Sequence, residues 1–201
     1  SFIDWEGKTV AVVFTKGCNF RCGYCHNPSL VLPHLLNKAP DISEKEILDY
    51  LQTRKNWLDG VVITGGEPTI HADLPEFMAA IKKPGFQIKL DTNGTNPAML
   101  KELNNKLVDY VAMDIKTVPE AKKYTEVVGI KDDRVMDKIS SSIKLLRNEN
   151  IKYQLRTTII PDLHTLEIKN RLSEEFRTDN YVLQEFRDGV TIDTELSNLQ
   201  S

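Results

Sequence analysis

The sequence predicts an α/β fold, a partial (β/α)6 barrel of the TIM-like kind, with one curved parallel sheet backed by helices. Three observations predict it. Short β-branched runs alternate with amphipathic helical stretches along the chain, the pattern of parallel βαβ units with right-handed crossovers. The 201 residues fall short of the roughly 250 that a closed eight-stranded barrel usually takes, so six units in an open arc fit the length. Polar motifs stand directly after the apolar runs, where ligands bind in such sheets. Residues 1–201 read as a single domain, with no repeats and no low-complexity linker.

The elements follow in order. Residues 9–14 form the first apolar run. Residues 43–57 read as a helix, with Ser43 as N-cap, Glu46 completing a capping box, and Ile47, Leu48 and Leu51 on one face. Residues 61–64 are the second strand; the next helix is capped by Asp73 and carries Phe77, Met78 and Ile81. Residues 86–90 are the third strand, before a helix with Asn96 as cap and Pro97 at its first position. Residues 110–113 are the fourth strand, and Val135, Ile139, Ile143 and Leu146 mark a helical stripe. Residues 151–160 are the fifth strand, stopped by Pro161. Ile168, Leu172 and Phe176 mark the last helix before a sixth strand at 181–186.

Composition narrows the function. Hydrophobic residues make up 40% and charged residues 27%, with 26 basic against 29 acidic side chains. No basic patch favours nucleic acid. No apolar run approaches the roughly 20 residues of a membrane helix, and no signal peptide opens the chain. The sequence is therefore expected in the cytoplasm, and Ser1 in place of Met suggests a trimmed start. Three cysteines lie within eight positions, and there are no others. An odd, clustered set does not make a disulfide framework; it points to metal or redox chemistry in a reducing compartment.

The cysteines stand in Thr15-Lys-Gly-Cys-Asn-Phe-Arg-Cys-Gly-Tyr-Cys-His-Asn-Pro28, separated by three residues and then two. Thiolates are the ligands of iron–sulfur clusters. Three of them on a four-iron cubane leave one iron open for another ligand, as a catalytic metal site requires. The competing reading is a structural zinc site with His26 as fourth ligand. Joint tetrahedral binding by adjacent Cys25 and His26 is awkward, and the two-plus-two knuckle spacing is absent. His34, His71 and His164 have no motif around them and read as surface histidines.

Cys18, Cys22 and Cys25 at this spacing, with Tyr24 just before the last and a strand just before the first, resemble the radical S-adenosylmethionine (SAM) superfamily, and the likeness covers nearly the whole chain. It implies one 4Fe–4S cluster on the three cysteines, with Tyr24 and His26 beside it. It implies that Gly65, Gly66 and Glu67, in Val61-Val-Ile-Thr-Gly-Gly-Glu-Pro68, hold the amino group of SAM; on its own, the segment is a tight turn with a capping Glu. Leu90-Asp-Thr-Asn-Gly94 is a βα turn signal. By resemblance its Asp91 and Thr92 lie at the SAM carboxylate, near a monovalent cation. Asp114, in Tyr110-Val-Ala-Met-Asp-Ile-Lys116, would complete the cation site, and Lys116 would reach SAM; these two could equally be a surface ion pair. Arg156 stands mid-strand on the face shared with Gln154 and Thr158. A charge there needs a partner, and the resemblance suggests SAM. Gln184-Glu-Phe-Arg187 closes the sixth strand, with Arg187 a further candidate contact to SAM or substrate.

Cys25-His-Asn-Pro28 resembles the activating enzymes of glycyl radical enzymes. Ile3-Asp4, Gly7-Lys8, Phe14 and the stretch from Gly17 to Pro28 look most like those serving anaerobic ribonucleoside-triphosphate reductase. Trp5-Glu6 departs from the common Tyr-Pro, and Gly23 stands where Pro is frequent. With three cysteines there is no ligand set for a second cluster. The resemblance implies that a flavodoxin or ferredoxin reduces the cluster, SAM is cleaved to methionine and a 5′-deoxyadenosyl radical, and a partner glycine loses its α-hydrogen. Two alternatives stay open: a minimal radical SAM enzyme on a small molecule, such as 7-carboxy-7-deazaguanine synthase, and a non-catalytic zinc- or cluster-binding module.

Overall fold

Six parallel strands stand side by side in chain order: β1 Val10–Thr15, β2 Gly60–Gly65, β3 Gln87–Thr92, β4 Tyr110–Asp114, β5 Lys152–Ile159 and β6 Tyr181–Glu185. The structure is a computed structural model and describes residues 1–104 and 106–194. Among the described residues strands β1 and β6 are the edges, so the sheet is an open arc, as the length predicted.

Helices return the chain from each strand to the next: α1 Pro28–Val31, α2 Glu44–Thr53, α3 Leu74–Lys82, α4 Pro97–Leu103, α5 Ala121–Val128, α6 Val135–Asn148 and α7 Leu166–Glu175. Ser43 and Glu46 form the expected capping box at α2. The helix ends at Thr53, short of residue 57, because turn bonds from Trp57 and Leu58 back to Arg54 redirect the chain toward β2. Asp73 occupies the cap position of α3, but its side chain accepts no capping bond. Its φ of −86° and ψ of 0° are not the extended geometry from which an N-cap side chain reaches forward. Helix α5 was not anticipated: its buried side chains are only Tyr124 and Val128, too few to write a stripe. Among the described residues no helix is long and apolar enough to cross a membrane.

Strand alternation divides the side chains into two sets. Ile63, Ile88, Leu90, Val111, Met113 and Leu155 point outward and form the main core with the helices. The other set enters the barrel. At the N-terminal end Trp5 packs with Val10, Val62 and Tyr110, which closes the floor. Above that floor the interior positions turn polar: Lys89 and Asp91 of β3, Asp114 of β4, Arg156 of β5. Residues at the C-terminal strand ends are thus free for chemistry while the helix side carries stability.

Candidate active site

The C-terminal ends of the strands open into a cavity of about 220 Å³. All three cysteines border it, with Tyr24 and His26 from the same loop. Gly65, Gly66 and Glu67 border it from the end of β2, and Asp91 and Thr92 from the end of β3. Asp114, Lys116 and Arg156 complete the wall. Arg187 alone among the expected residues lies outside this lining; its side chain is exposed, and its carbonyl accepts a bond from His26 Nε2 at 2.7 Å. Phe186, its neighbour, does line the cavity and stacks on His26 at 4.8 Å.

The cysteine loop is anchored on several sides. Glu67 donates its N–H to the carbonyl of Gly17 at 2.8 Å, and Gly66 donates to Thr15 at 2.9 Å. Both contacts depend on glycine. Gly65 has φ +113°, and a Cβ on Gly66 would lie 1.8 Å from the carbonyl oxygen of Gly17. Asn93 donates from Nδ2 to Asn19 at 2.8 Å, and Asn19 donates to Thr95 at 2.7 Å, tying the loop to the β3 turn. Sequence reasoning took Asn93 only as a turn former; its pairing with Asn19 had no local signal, since 74 residues separate them. Arg21 donates to the carbonyl of Val128 at 2.8 Å, and Ile192 to that of Cys25 at 3.1 Å. The thiols are therefore held by backbone bonds from distant parts of the chain, which pre-sets their positions.

Glu67 is fully buried, and its carboxylate turns into its own loops. Thr69 donates from its N–H at 3.1 Å and its hydroxyl at 2.5 Å, Thr92 from its hydroxyl at 2.7 Å, and Asn93 from its N–H at 2.6 Å. Burial pushes this carboxyl up, and those bonds pull it back. The residue is thus a strut between the β2 and β3 turns as well as a wall of the cavity, and the capping contact to Thr69 is real.

A ladder of alternating charge crosses β3, β4 and β5. Register sets Asp114 opposite Arg156. Arg156 Nε lies 2.6 Å from Asp114 Oδ1, and its terminal nitrogen lies 3.2 Å from Asp91 Oδ2. Lys116 Nζ takes the other oxygen of Asp114 at 3.0 Å. These pairs are partly buried, with Arg156 13% and Asp114 30% exposed, and Arg156 has the partners its position demanded. Burial alone would raise the Asp114 carboxyl, but Arg156 and Lys116 hold it well below the usual carboxylate range. Burial would lower Lys116, and Asp114 reverses this and raises it. The backbone of Lys116 is clamped too. Its N–H donates to Tyr124 Oη at 3.2 Å, and its carbonyl accepts from His164 Nε2 at 3.0 Å. His164 is 1% exposed, which corrects its reading as a surface histidine. The fold needs a two-sided hydrogen-bonding group between the β4 and β5 ends, and imidazole supplies it.

The residues present fit an iron–sulfur cluster and SAM. Burial pushes the Cys18 thiol up to about 11, and it raises Cys22 despite the nearby Lys116 ammonium. Bare thiolates are disfavoured there; cluster iron supplies the missing charge. Phe20 N–H lies 3.4 Å from Cys18 Sγ, the kind of contact that tunes cluster thiolates. Among the described residues no three His, Cys, Asp or Glu side chains converge on a point that could hold a single metal ion. Opposite them, the paired acids and bases offer partners for a zwitterionic amino acid.

Comparison with known proteins agrees with this geometry. Residues 12–170 match the model of the radical SAM superfamily. A putative glycyl-radical enzyme activating enzyme of Methanocaldococcus jannaschii is 36% identical over 99% of this chain and 82% of its own length. The pyruvate formate-lyase 1-activating enzyme of Escherichia coli is 27% identical over 75% of this chain, and the match spans only 61% of that enzyme. Among solved structures, Streptococcus suis SuiB bound to S-adenosylmethionine superposes with a TM-score of 0.70 at 17% identity, covering 95% of this chain and 45% of SuiB. That likeness is one of fold. With three cysteines on one cavity, a superfamily match over most of the chain and a near full-length relative, this chain belongs to the radical SAM superfamily, within the family of glycyl-radical enzyme activating enzymes.

Proposed function

We propose that this chain, acting as a single domain, binds a 4Fe–4S cluster on Cys18, Cys22 and Cys25 and uses SAM to install a glycyl radical on a partner enzyme. The observation that carries the reading is the one cavity in which three thiols face the Gly65-Gly66-Glu67 turn and the Asp91–Arg156–Asp114–Lys116 ladder. When bound and reduced, the cluster supplies one electron to SAM, which yields methionine and the 5′-deoxyadenosyl radical that takes a hydrogen atom from glycine. The chain's own residues do the positioning. Gly65 and Gly66 let a ligand approach the backbone closely. Arg156 and Lys116 offer cations to the SAM carboxylate, and Asp91 and Asp114 hold those cations in place. Tyr24, His26 and Phe186 wall the cavity beside the cysteines and limit water.

The partner we infer is an anaerobic ribonucleotide reductase, from Ile3-Asp4, Gly7-Lys8 and the His26-Asn27-Pro28 tail. Flavodoxin or ferredoxin fits as electron donor, and the cytoplasm as compartment. The free edge at β6, whose residues are largely exposed, leaves the side of the cavity accessible to a polypeptide loop. A monovalent cation between Asp91 and Asp114 suits the geometry less well, because Arg156 lies between the two carboxylates. Deuterium transfer tests the reading. A partner reductase carrying α-deuterated glycine should pass its label into 5′-deoxyadenosine. Unlabelled 5′-deoxyadenosine formed in the partner's presence would refute it.

A further inference from the structure

The barrel interior holds a lysine that the function above leaves unused. Lys89 stands two residues before Asp91 on β3, so both side chains enter the barrel. Its side chain is 9% exposed. Its Nζ donates to the carbonyl of Asp4 at 2.5 Å and lies 3.3 Å from Asp91 Oδ1. The ammonium therefore sits beneath the cavity, between the Asp4–Trp5 floor and the carboxylate of Asp91. A lysine buried in a barrel core is costly unless its charge is answered.

The family resemblance implies a monovalent cation on Asp91 and Asp114, and the residues do not fit one. The guanidinium of Arg156 spans the two carboxylates, at 3.2 Å from Asp91 Oδ2 and 2.6 Å from Asp114 Oδ1. The other oxygen of Asp91 accepts no hydrogen bond among the described residues, but it faces the Lys89 ammonium. Along Lys89, Asp91, Arg156, Asp114 and Lys116, three positive groups already stand against two negative ones. A metal cation drawn to Asp91 would stand close to both Lys89 and Arg156 and be repelled by each in a poorly solvated interior.

We propose that Lys89 is a built-in cation. Its ammonium supplies the positive charge beside Asp91, so SAM binding by this chain needs no monovalent metal ion. Lys89 does not touch the reacting atoms; it acts through Asp91 and is a positioning residue. The inference rests on the SAM reading above, and one experiment separates the two. The cluster-loaded protein is dialysed against SAM without oxygen, in choline, sodium or potassium chloride at equal ionic strength. The native chain should bind SAM with the same affinity in all three, within about twofold. Lys89→Met should lose about tenfold or more in choline and recover in potassium or sodium, whereas Lys89→Arg should stay independent of the salt. Rescue by a cation is a readout that a purely structural lysine would not give. If Lys89→Met does not fold, the native comparison decides by itself. Native binding that strengthens about tenfold with potassium or sodium overturns the inference and leaves the SAM reading standing. No SAM binding in any salt overturns both.

Discussion

His164 donates its Nε2–H to the carbonyl of Lys116 at 3.0 Å while its Nδ1 accepts the N–H of Ile160 at 2.9 Å. Both bonds are available only to the neutral ring, because a protonated Nδ1 cannot accept. Burial lowers the histidine pKa. The unfolded chain then takes up the proton first as pH falls. Stability is full above the ordinary histidine value of about 6.5 and declines below it. His164→Ala should cost about 1–3 kcal/mol at neutral pH, since two partly buried backbone groups lose their partner. It should also flatten the decline below that value. Urea unfolding of both proteins at a series of pH values checks this, and parallel pH profiles would count against it.

Gly66→Ala should damage the site more than the size of a methyl group suggests. The added Cβ meets the backbone oxygen of Gly17, which cannot rotate away, so the cysteine loop must shift against the β2 turn. We expect loss of most cluster loading, measured as iron per chain after anaerobic reconstitution, with the secondary structure by circular dichroism retained. Normal loading would mean that the loop tolerates displacement.

Asp114→Asn removes the carboxylate shared by Arg156 and Lys116 and leaves two partly buried cations with only Asp91 to answer Arg156. Breaking a fully buried pair typically costs about 3–5 kcal/mol, and the partial exposure of this one puts its cost below that range. The variant should melt earlier than the native chain and bind SAM about ten- to a hundredfold more weakly if it folds. Glu67→Ala should also destabilise, because Thr69, Thr92 and Asn93 lose their common acceptor. Native-like melting of Asp114→Asn would show that solvent already screens the ladder.

Changing any one of Cys18, Cys22 or Cys25 to Ala should abolish the cluster or its SAM cleavage, since the chain has no spare cysteine. Iron counting and a 5′-deoxyadenosine assay read this out. Full activity in a single variant would refute the ligand assignment.

The sheet was legible because β1, β2 and β4 are short apolar runs and helices α2, α3, α6 and α7 carry apolar stripes between them. The strand-end motifs were legible because Cys, Gly-Gly-Glu and Asp-x-Lys sit where a parallel sheet presents its ligands. What stayed hidden was pairwise. That Arg156 bridges Asp91 and Asp114 depends on strand register, which a linear pattern does not encode. That Glu67 turns into Thr69 and Thr92 depends on how two turns meet. The burial of His164 follows from its span between the ends of β4 and β5, 48 residues from Lys116, and no neighbouring motif announces it.

The central claim, radical installation on a partner, is tested most directly by electron paramagnetic resonance. Reduced, cluster-loaded protein is mixed with SAM and a candidate anaerobic ribonucleotide reductase without oxygen. The account predicts a doublet from the single α-hydrogen of a glycyl radical, absent when the partner glycine is changed to Ala. Cleavage of SAM with no such signal, accompanied by consumption of a purine-like small molecule, would contradict it.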